Sequence, residues 1–188
     1  MTSNQILAGG ALVLALFAAV AGTPYHAGAA GDSSASSVHV VDVAEWIRDR
    51  RAGLQIVDLR PSEAFDRFNI PTAINVQLDR LGVAGLDSAG LIVVYDDGSG
   101  VAERGKTILH ALGFDSVSVL RDGAAWWVAD ILNPMVARDA SDTERADFDS
   151  VADLSRYFGG MPRVVDRIDL EESAATQLRR TLRRGCAF

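Results

Sequence analysis

The 188-residue sequence has few of the residues that usually bind metals or cofactors. It has one cysteine, Cys186, three histidines that lie apart from one another, and one lysine, Lys106. A single cysteine excludes a disulfide within the chain and a cysteine-based metal cluster. We therefore predict no metal site and no cofactor. A net charge of −7 provides no overall basic field, so nucleic acid is not an expected partner.

Positive charge is missing from the start of the chain, where no lysine or arginine precedes Arg48. Residues 6–22 are instead an uncharged apolar run of 17 residues. This length is short for a membrane span and slightly long for the core of a signal peptide. We predict that residues 1–30 are a signal peptide or an N-terminal membrane anchor and that residues 31–37 are a linker. Either alternative places the domain in the periplasm or another extracytoplasmic compartment, with membrane association through residues 6–22 if the segment stays attached.

Apolar segments of strand length alternate with amphipathic segments over the following hundred residues. The pattern predicts strands at 38–41, 54–60, 73–78, 91–97 and 117–120, and helices at 42–53, 61–68, 101–113 and 122–131. We assign Asp42 as the cap of the first helix. Such alternation predicts an α/β domain with a mainly parallel sheet flanked by helices. Because ligands of these sheets bind beyond the carboxyl ends of the strands, the loop after Tyr95 is the expected site.

The last quarter of the sequence is more polar. Residues 137–150 are rich in charge and are predicted to be a linker. A short helix capped by Ser150 and a longer helix over 170–185 should follow. We therefore predict that residues 135–188 are a charged linker and a C-terminal helical extension.

A phosphate-binding motif is the most obvious pattern in the sequence, because Gly100–Thr107 reads G-x-x-x-x-G-K-T. In a true phosphate-binding loop the first glycine directly follows the strand. Here four residues separate Tyr95 from that glycine, and two of them, Asp96 and Asp97, would repel a polyphosphate. The intervening "VAER" favours a helix that places Lys106 on its second turn. A nucleotide site is therefore not expected.

Two longer segments, "IVDLRPSEAFDRFNIPTAINV" and "LIVVYDDGSGVAERGKTILHALGFDSVSVLRDGAAWW", resemble the rhodanese-like (sulfurtransferase) family in content and order. Asp58 and Arg60 match its Asp-x-Arg pair, and residues 68–75 match its "GHIPGAINI" segment. Trp126 takes the place of a tryptophan near the end of the family pattern. The resemblance covers residues 38–134, which we predict to be one rhodanese-like domain.

The resemblance implies an active loop after the "LIVVY" strand. In the family this loop begins with a cysteine that carries a persulfide, and backbone N–H groups and a helix N-terminus stabilise the sulfur anion. The candidate loop residues are Asp96, Asp97, Gly98, Ser99, Gly100 and Val101. Asp96 stands at the cysteine position and Val101 at a position that is often basic. The loop is therefore expected to be inactive as a sulfurtransferase, and we name no catalytic residue.

Several interpretations of these residues remain open. Asp96 could serve binding or regulation, or it could simply cap the helix that begins near Val101. Asp58 and Arg60 are expected to form a structural ion pair beneath the loop. The predicted function is a non-catalytic binding or accessory module whose partner is a protein, a small anion or a sulfur species. The alternative is a divergent sulfurtransferase that uses Cys186 or a partner's thiol.

Overall fold

The computed structural model describes residues 37–185, and the side chains of residues 37–176, all within one compact unit of the chain. Its elements are β1 (Ser37–Val38), α1 (Val40–Arg48), β2 (Leu54–Asp58), α2 (Ser62–Arg67), β3 (Ile74–Asn75), a 3₁₀ helix (Leu78–Val83), β4 (Leu91–Tyr95), α3 (Val101–Ala111), β5 (Val117–Leu120), α4 (Gly123–Trp126), a π-helical segment (Trp127–Leu132), β6 (Met135–Ala137), α5 (Asp142–Tyr157), β7 (Arg163–Val165) and α6 (Arg167–Gly185). The predicted membrane segment 6–22 and Cys186 lie outside the described residues. Within 37–185, no helix combines the length and hydrophobicity that crossing a membrane requires.

Strands β1 to β5 form a parallel sheet in the order β1-β5-β4-β2-β3. Strand β4 lies at its centre, and its apolar run from Ile92 to Tyr95 is completely buried, as expected for a strand covered on both faces. Asp58 pairs with Tyr95 in register, so β2 and β4 end side by side. The predicted α/β class with a mainly parallel sheet and helices at the C-terminus is confirmed.

The strands alternate their side chains between two apolar layers. One layer contains Val93 and Tyr95 and is covered by α1, the π-helical segment and α5. The other contains Ile92 and Val94 and is covered by α3 and the 3₁₀ helix. This arrangement buries the sheet on both faces and leaves its carboxyl edge for the loops.

The start of the domain differs from the prediction. Helix α1 begins at Val40, so the predicted strand 38–41 is reduced to β1, and the predicted cap at Asp42 is wrong. His39 caps the helix instead, because its Nδ1 accepts a hydrogen bond from the Val41 N–H at 3.5 Å. The β-branched "VHVV" favours a strand locally, but Val40 and Val41 are buried on the helix face that packs against the sheet.

The predicted linker over 137–150 is also wrong. The first residue of this segment, Ala137, is the last residue of strand β6. From Asp142 onward the segment forms the first half of α5. Ser141 caps this helix in a capping box: its side chain accepts from the Glu144 N–H, while Glu144 accepts from the Ser141 N–H. Ser150, the predicted cap, lies inside the helix and donates to the Asp147 carbonyl. The S-x-x-E signal was present in the sequence, but the high charge of the segment obscured it.

The C-terminal segment forms a second, two-stranded parallel sheet, in which α5 connects β6 to β7. Two ion pairs, Arg138 with Asp166 and Arg167 with Asp139, join the ends of its strands. Both are exposed to solvent, so they contribute little to stability. The backbone pairing sets the register, with Ala137 opposite Val165. Helix α6 follows over Arg167–Gly185, so the helix predicted at 170–185 is confirmed and begins three residues earlier.

Two other predicted elements are shorter or differently wound. The strand predicted at 73–78 is only Ile74–Asn75, and the 3₁₀ helix begins at Leu78, where the prediction still had strand. The side chains of Asn75 and Gln77 donate to the Arg60 carbonyl. The helix predicted at 122–131 is a single α-helical turn followed by the π-helical segment. Trp127 is the fully buried tryptophan of this segment.

Candidate functional site

The loop between β4 and α3 is organised around the carboxylate of Asp96, which is only 5% exposed. Its Oδ1 accepts a hydrogen bond from the Gly98 N–H at 2.8 Å. Its Oδ2 accepts from the N–H groups of Val101 at 2.7 Å and Ala102 at 3.1 Å. The Ser99 hydroxyl donates to the same oxygen at 3.0 Å. One side chain therefore collects the donors that the loop and the helix N-terminus direct inward.

Asp96 caps the N-terminus of α3, because the residue next to this helix has no side chain that could do so. The residue immediately before α3 is Gly100, which has no side chain to accept from the first turn. The N–H groups of Val101 and Ala102 would otherwise lack partners, and the helix dipole favours a negative charge at this end. The capping interpretation of Asp96 is confirmed, although the residue acts from beyond the usual capping position.

Three glycines give the loop its shape. Gly98 and Gly100 adopt left-handed backbone angles (φ of 88° and 79°), and a Cβ on either would meet no atom within 4 Å. Gly123 approaches the loop from the start of α4, where an added Cβ would lie 2.3 Å from the Asp96 carbonyl oxygen. The Ala124 N–H donates to that same oxygen at 3.0 Å. The outer side of the loop is open, while its base is held tightly.

A buried ion pair lies at the end of the neighbouring strand β2. Asp58 is fully buried and Arg60 is 8% exposed. The guanidinium binds both carboxylate oxygens, with Nη2 at 2.6 Å from Oδ2 and Nε at 3.0 Å from Oδ1. The Arg60 Nη2 also donates to the Phe68 carbonyl at 2.6 Å. This bidentate geometry ties the end of β2 to the segment that follows α2.

Tyr95 joins this ion pair to the loop. Its ring lies 5.4 Å from the Arg60 guanidinium carbon, and its hydroxyl accepts from the Ile70 N–H at 3.1 Å. Burial, with a further contribution from its hydrogen bond to Asp58, raises the pKa of Tyr95 above its usual range. The phenol is therefore neutral at physiological pH. The predicted structural pair beneath the loop is confirmed, and it includes a tyrosine that the sequence analysis did not select.

Residues 42–130 of this chain match the family model described as the rhodanese-like domain. The chain contains a rhodanese-like domain. Its loop of six candidate residues is the one at the carboxyl end of β4, the central strand of the sheet.

Solved structures similar to this chain include the BH2092 protein from Bacillus halodurans, at 26% identity and a TM-score of 0.46, covering 50% of this chain and 71% of that chain. Another is the rhodanese-like domain of the Alr3790 protein from Anabaena sp., at 21% identity and a TM-score of 0.45, covering 49% of this chain and 72% of that chain. No curated protein matches the chain.

The six candidate residues of the rhodanese-like loop have different environments. Asp96 is buried, Val101 is half-buried, and Asp97, Gly98, Ser99 and Gly100 are exposed. Val101 offers its backbone N–H to the loop, and no basic side chain stands at its position. Among the described side chains, no group of three or more histidines, cysteines, aspartates or glutamates could hold a metal ion.

The G-K-T motif lies within α3, as expected. Gly105 is buried against Leu59, which directly follows β2, and an added Cβ would lie 2.3 Å from Leu59 Cδ1. This glycine allows the helix to pack closely on the sheet. Lys106 follows on the second turn, so the motif does not form the phosphate-binding loop that its letters suggest.

Replacing the Asp96 carboxylate should destabilise the domain. We expect Asp96→Ala to lower the free energy of unfolding by about 2–4 kcal/mol, because it removes a helix cap and leaves buried N–H groups without an acceptor. Asp96→Asn, which keeps one oxygen acceptor, should cost roughly half as much. Urea denaturation measures both. Asp115→Ala, at an exposed turn before β5, is the control and should change stability by less than about 0.5 kcal/mol. Wild-type stability in Asp96→Ala would contradict the capping role.

Proposed function

We propose that this rhodanese-like domain is a non-catalytic binding or accessory module that works outside the cytoplasm, delivered or anchored by residues 6–22. The observation that carries the proposal is the environment of Asp96. This aspartate stands where the family has its nucleophile, and it accepts hydrogen bonds from four donors of the loop and the helix N-terminus.

The chemistry of a carboxylate supports the absence of sulfur transfer. A persulfide forms when a thiolate attacks a sulfane sulfur and becomes bonded to it, and a carboxylate oxygen cannot replace the thiolate in that step. The Asp96 carboxylate also occupies the donors that would otherwise stabilise an incoming anion. The neighbouring Asp97 is exposed and adds a second negative charge at the entrance. A small anion such as thiosulfate is therefore a poor ligand for this loop.

The outer surface of the loop favours a protein as the partner. Asp97 to Gly100 are exposed, and open space surrounds the Cα atoms of Gly98 and Gly100. A partner could therefore contact the backbone of the loop directly. Because Asp96 caps α3 from inside, the shape of this surface is held without a bound ligand. Such a preformed surface loses little conformational entropy on binding.

A thiosulfate and cyanide assay tests the proposal. We expect the purified full chain to form thiocyanate no faster than a protein-free blank, with Asp96→Ala giving the same result. Thiocyanate formation above the blank that is lost in Asp96→Ala or in Cys186→Ser would overturn the proposal.

The alternative through Cys186 needs a separate measurement. Mass spectrometry after exposure to a persulfide donor should show whether one sulfur atom is added to the chain. An adduct that disappears in Cys186→Ser and is transferred onward to cyanide would support a divergent sulfurtransferase. An unmodified chain supports the binding module.

A further inference from the structure

Helix α6 is long, and its first half has little contact with the rest of the domain. It spans Arg167–Gly185, which is about 28 Å at the usual rise per residue. Among residues 167–176, whose side chains are described, none is buried. Its main packing partner is β6, and the ion pair between Arg167 Nε and Asp139 Oδ2 holds its start at 3.0 Å. Such a helix leaves most of its surface for another partner.

Apolar residues occupy one face of α6. Positions four apart are neighbours on a helix surface. The sequence has such a series at Leu170, Ala174, Leu178 and Leu182. In the first turn, Ile168 is 70% exposed, so apolar surface is in contact with water there. A helix with an apolar stripe is stabilised when another element covers the stripe.

The charges of α6 are divided between its two halves. We call residues 169–172 the acidic half, because they include Asp169, Glu171 and Glu172. We call residues 179–184 the basic half, because four of these six residues are arginines. Two such helices in antiparallel order place the acidic half of each beside the basic half of the other. In parallel order, like charges would lie side by side and repel.

We propose that α6 binds α6 of a second copy of this chain in antiparallel order, and that the domain is therefore a dimer. A two-fold axis at Thr176 places position 170 opposite 182 and position 174 opposite 178, so the apolar positions meet one another. The same register places residues 169–172 beside residues 180–183 of the second copy. Exposed ion pairs add little affinity, so the apolar positions provide the binding and the charges select the direction.

Sedimentation velocity of the full chain tests the dimer. We expect the wild type to sediment as a dimer that dissociates more readily as salt screens the charges. The all-basic variant carries Asp169→Arg, Glu171→Arg and Glu172→Arg. Because both halves of its helix are then basic, its dissociation constant should rise by about tenfold or more.

The decisive measurement uses a second variant of opposite charge. The all-acidic variant carries Arg179→Glu, Arg180→Glu, Arg183→Glu and Arg184→Glu. It should also be monomeric by itself, since both halves of its helix are then acidic. An equimolar mixture of the two variants should form dimers again, because each half then meets the opposite charge. Recovery in the mixture also shows that neither variant has lost the helix.

A matched control changes charge outside α6. Asp115→Arg combined with Asp149→Arg also replaces exposed acids by arginine, and this variant should remain dimeric. A monomeric wild type, or a mixture of the two α6 variants that stays monomeric, would overturn the proposal. So would association that persists in each variant alone. A monomer that binds vesicles containing phosphatidylserine would assign the arginines to lipid headgroups instead. The inference goes beyond the proposed function, which thiocyanate formation judges separately, so either can fail alone.

Discussion

Asp58→Asn is expected to lower the free energy of unfolding by about 3–5 kcal/mol, among the largest effects of any single change in this domain. The substitution keeps the shape of the side chain but removes the charge that balances Arg60. The guanidinium is 8% exposed, so water cannot fully replace the carboxylate. Tyr95 would also lose its charged hydrogen-bond partner. Urea denaturation followed by circular dichroism measures the loss.

A double variant distinguishes a broken ion pair from a damaged core. Asp58→Asn combined with Arg60→Met removes both charges, and it should recover part of the stability lost in Asp58→Asn alone. A double variant that is less stable by the sum of the two single losses would show that the charges do not act as a pair.

Gly123→Ala is expected to lower the free energy of unfolding by about 2–5 kcal/mol, because it combines left-handed strain with a collision. The new Cβ would lie 2.3 Å from the Asp96 carbonyl oxygen, a backbone atom that cannot rotate away. The loop and α4 would have to separate, and the hydrogen bond from the Ala124 N–H would be lost. Thermal unfolding measures the stability, and the N–H signals of Val101 and Ala102 report on the loop.

Gly98→Ala is the matched control, because Gly98 has a similar left-handed backbone (φ of 88°) but open space around it. It should cost only the backbone strain, about 1–2 kcal/mol, and should leave the signals of α3 in place. An equal loss of unfolding free energy in the two variants would show that the close approach of Gly123 to Asp96 does not affect stability.

The central part of the fold follows directly from sequence patterns. The apolar run 91–95 and the mixed run 54–58 predict parallel strands, because a strand covered on both faces needs apolar side chains in succession. The segment before Gly185 reads as a helix from its periodicity and its terminal glycine. These elements are predicted correctly because the local preference of the sequence and the tertiary environment agree.

The predictions fail where the local preference of the sequence and its tertiary environment disagree. "VHVV" favours a strand, but half of it begins α1, because its valines are better buried against the sheet from a helix. The charged stretch 137–150 reads as a linker, although Val151 and Leu154 anchor the helix that it starts. A narrow apolar face on a highly charged helix is hard to recognise in the sequence, but it stabilises the helix once it packs against the core.

The sequence alone placed an aspartate, Asp96, where the family has its cysteine, and a carboxylate cannot carry a persulfide. It also showed, through "VAER", that Lys106 lies on a helix and not in a phosphate-binding loop. Only the tertiary structure decided what the carboxylate does, since its donors come from four positions that converge in space. The structure alone also brought Gly123 and Ala124 to this loop, because contacts between a strand end and a distant turn leave no periodic pattern in the chain.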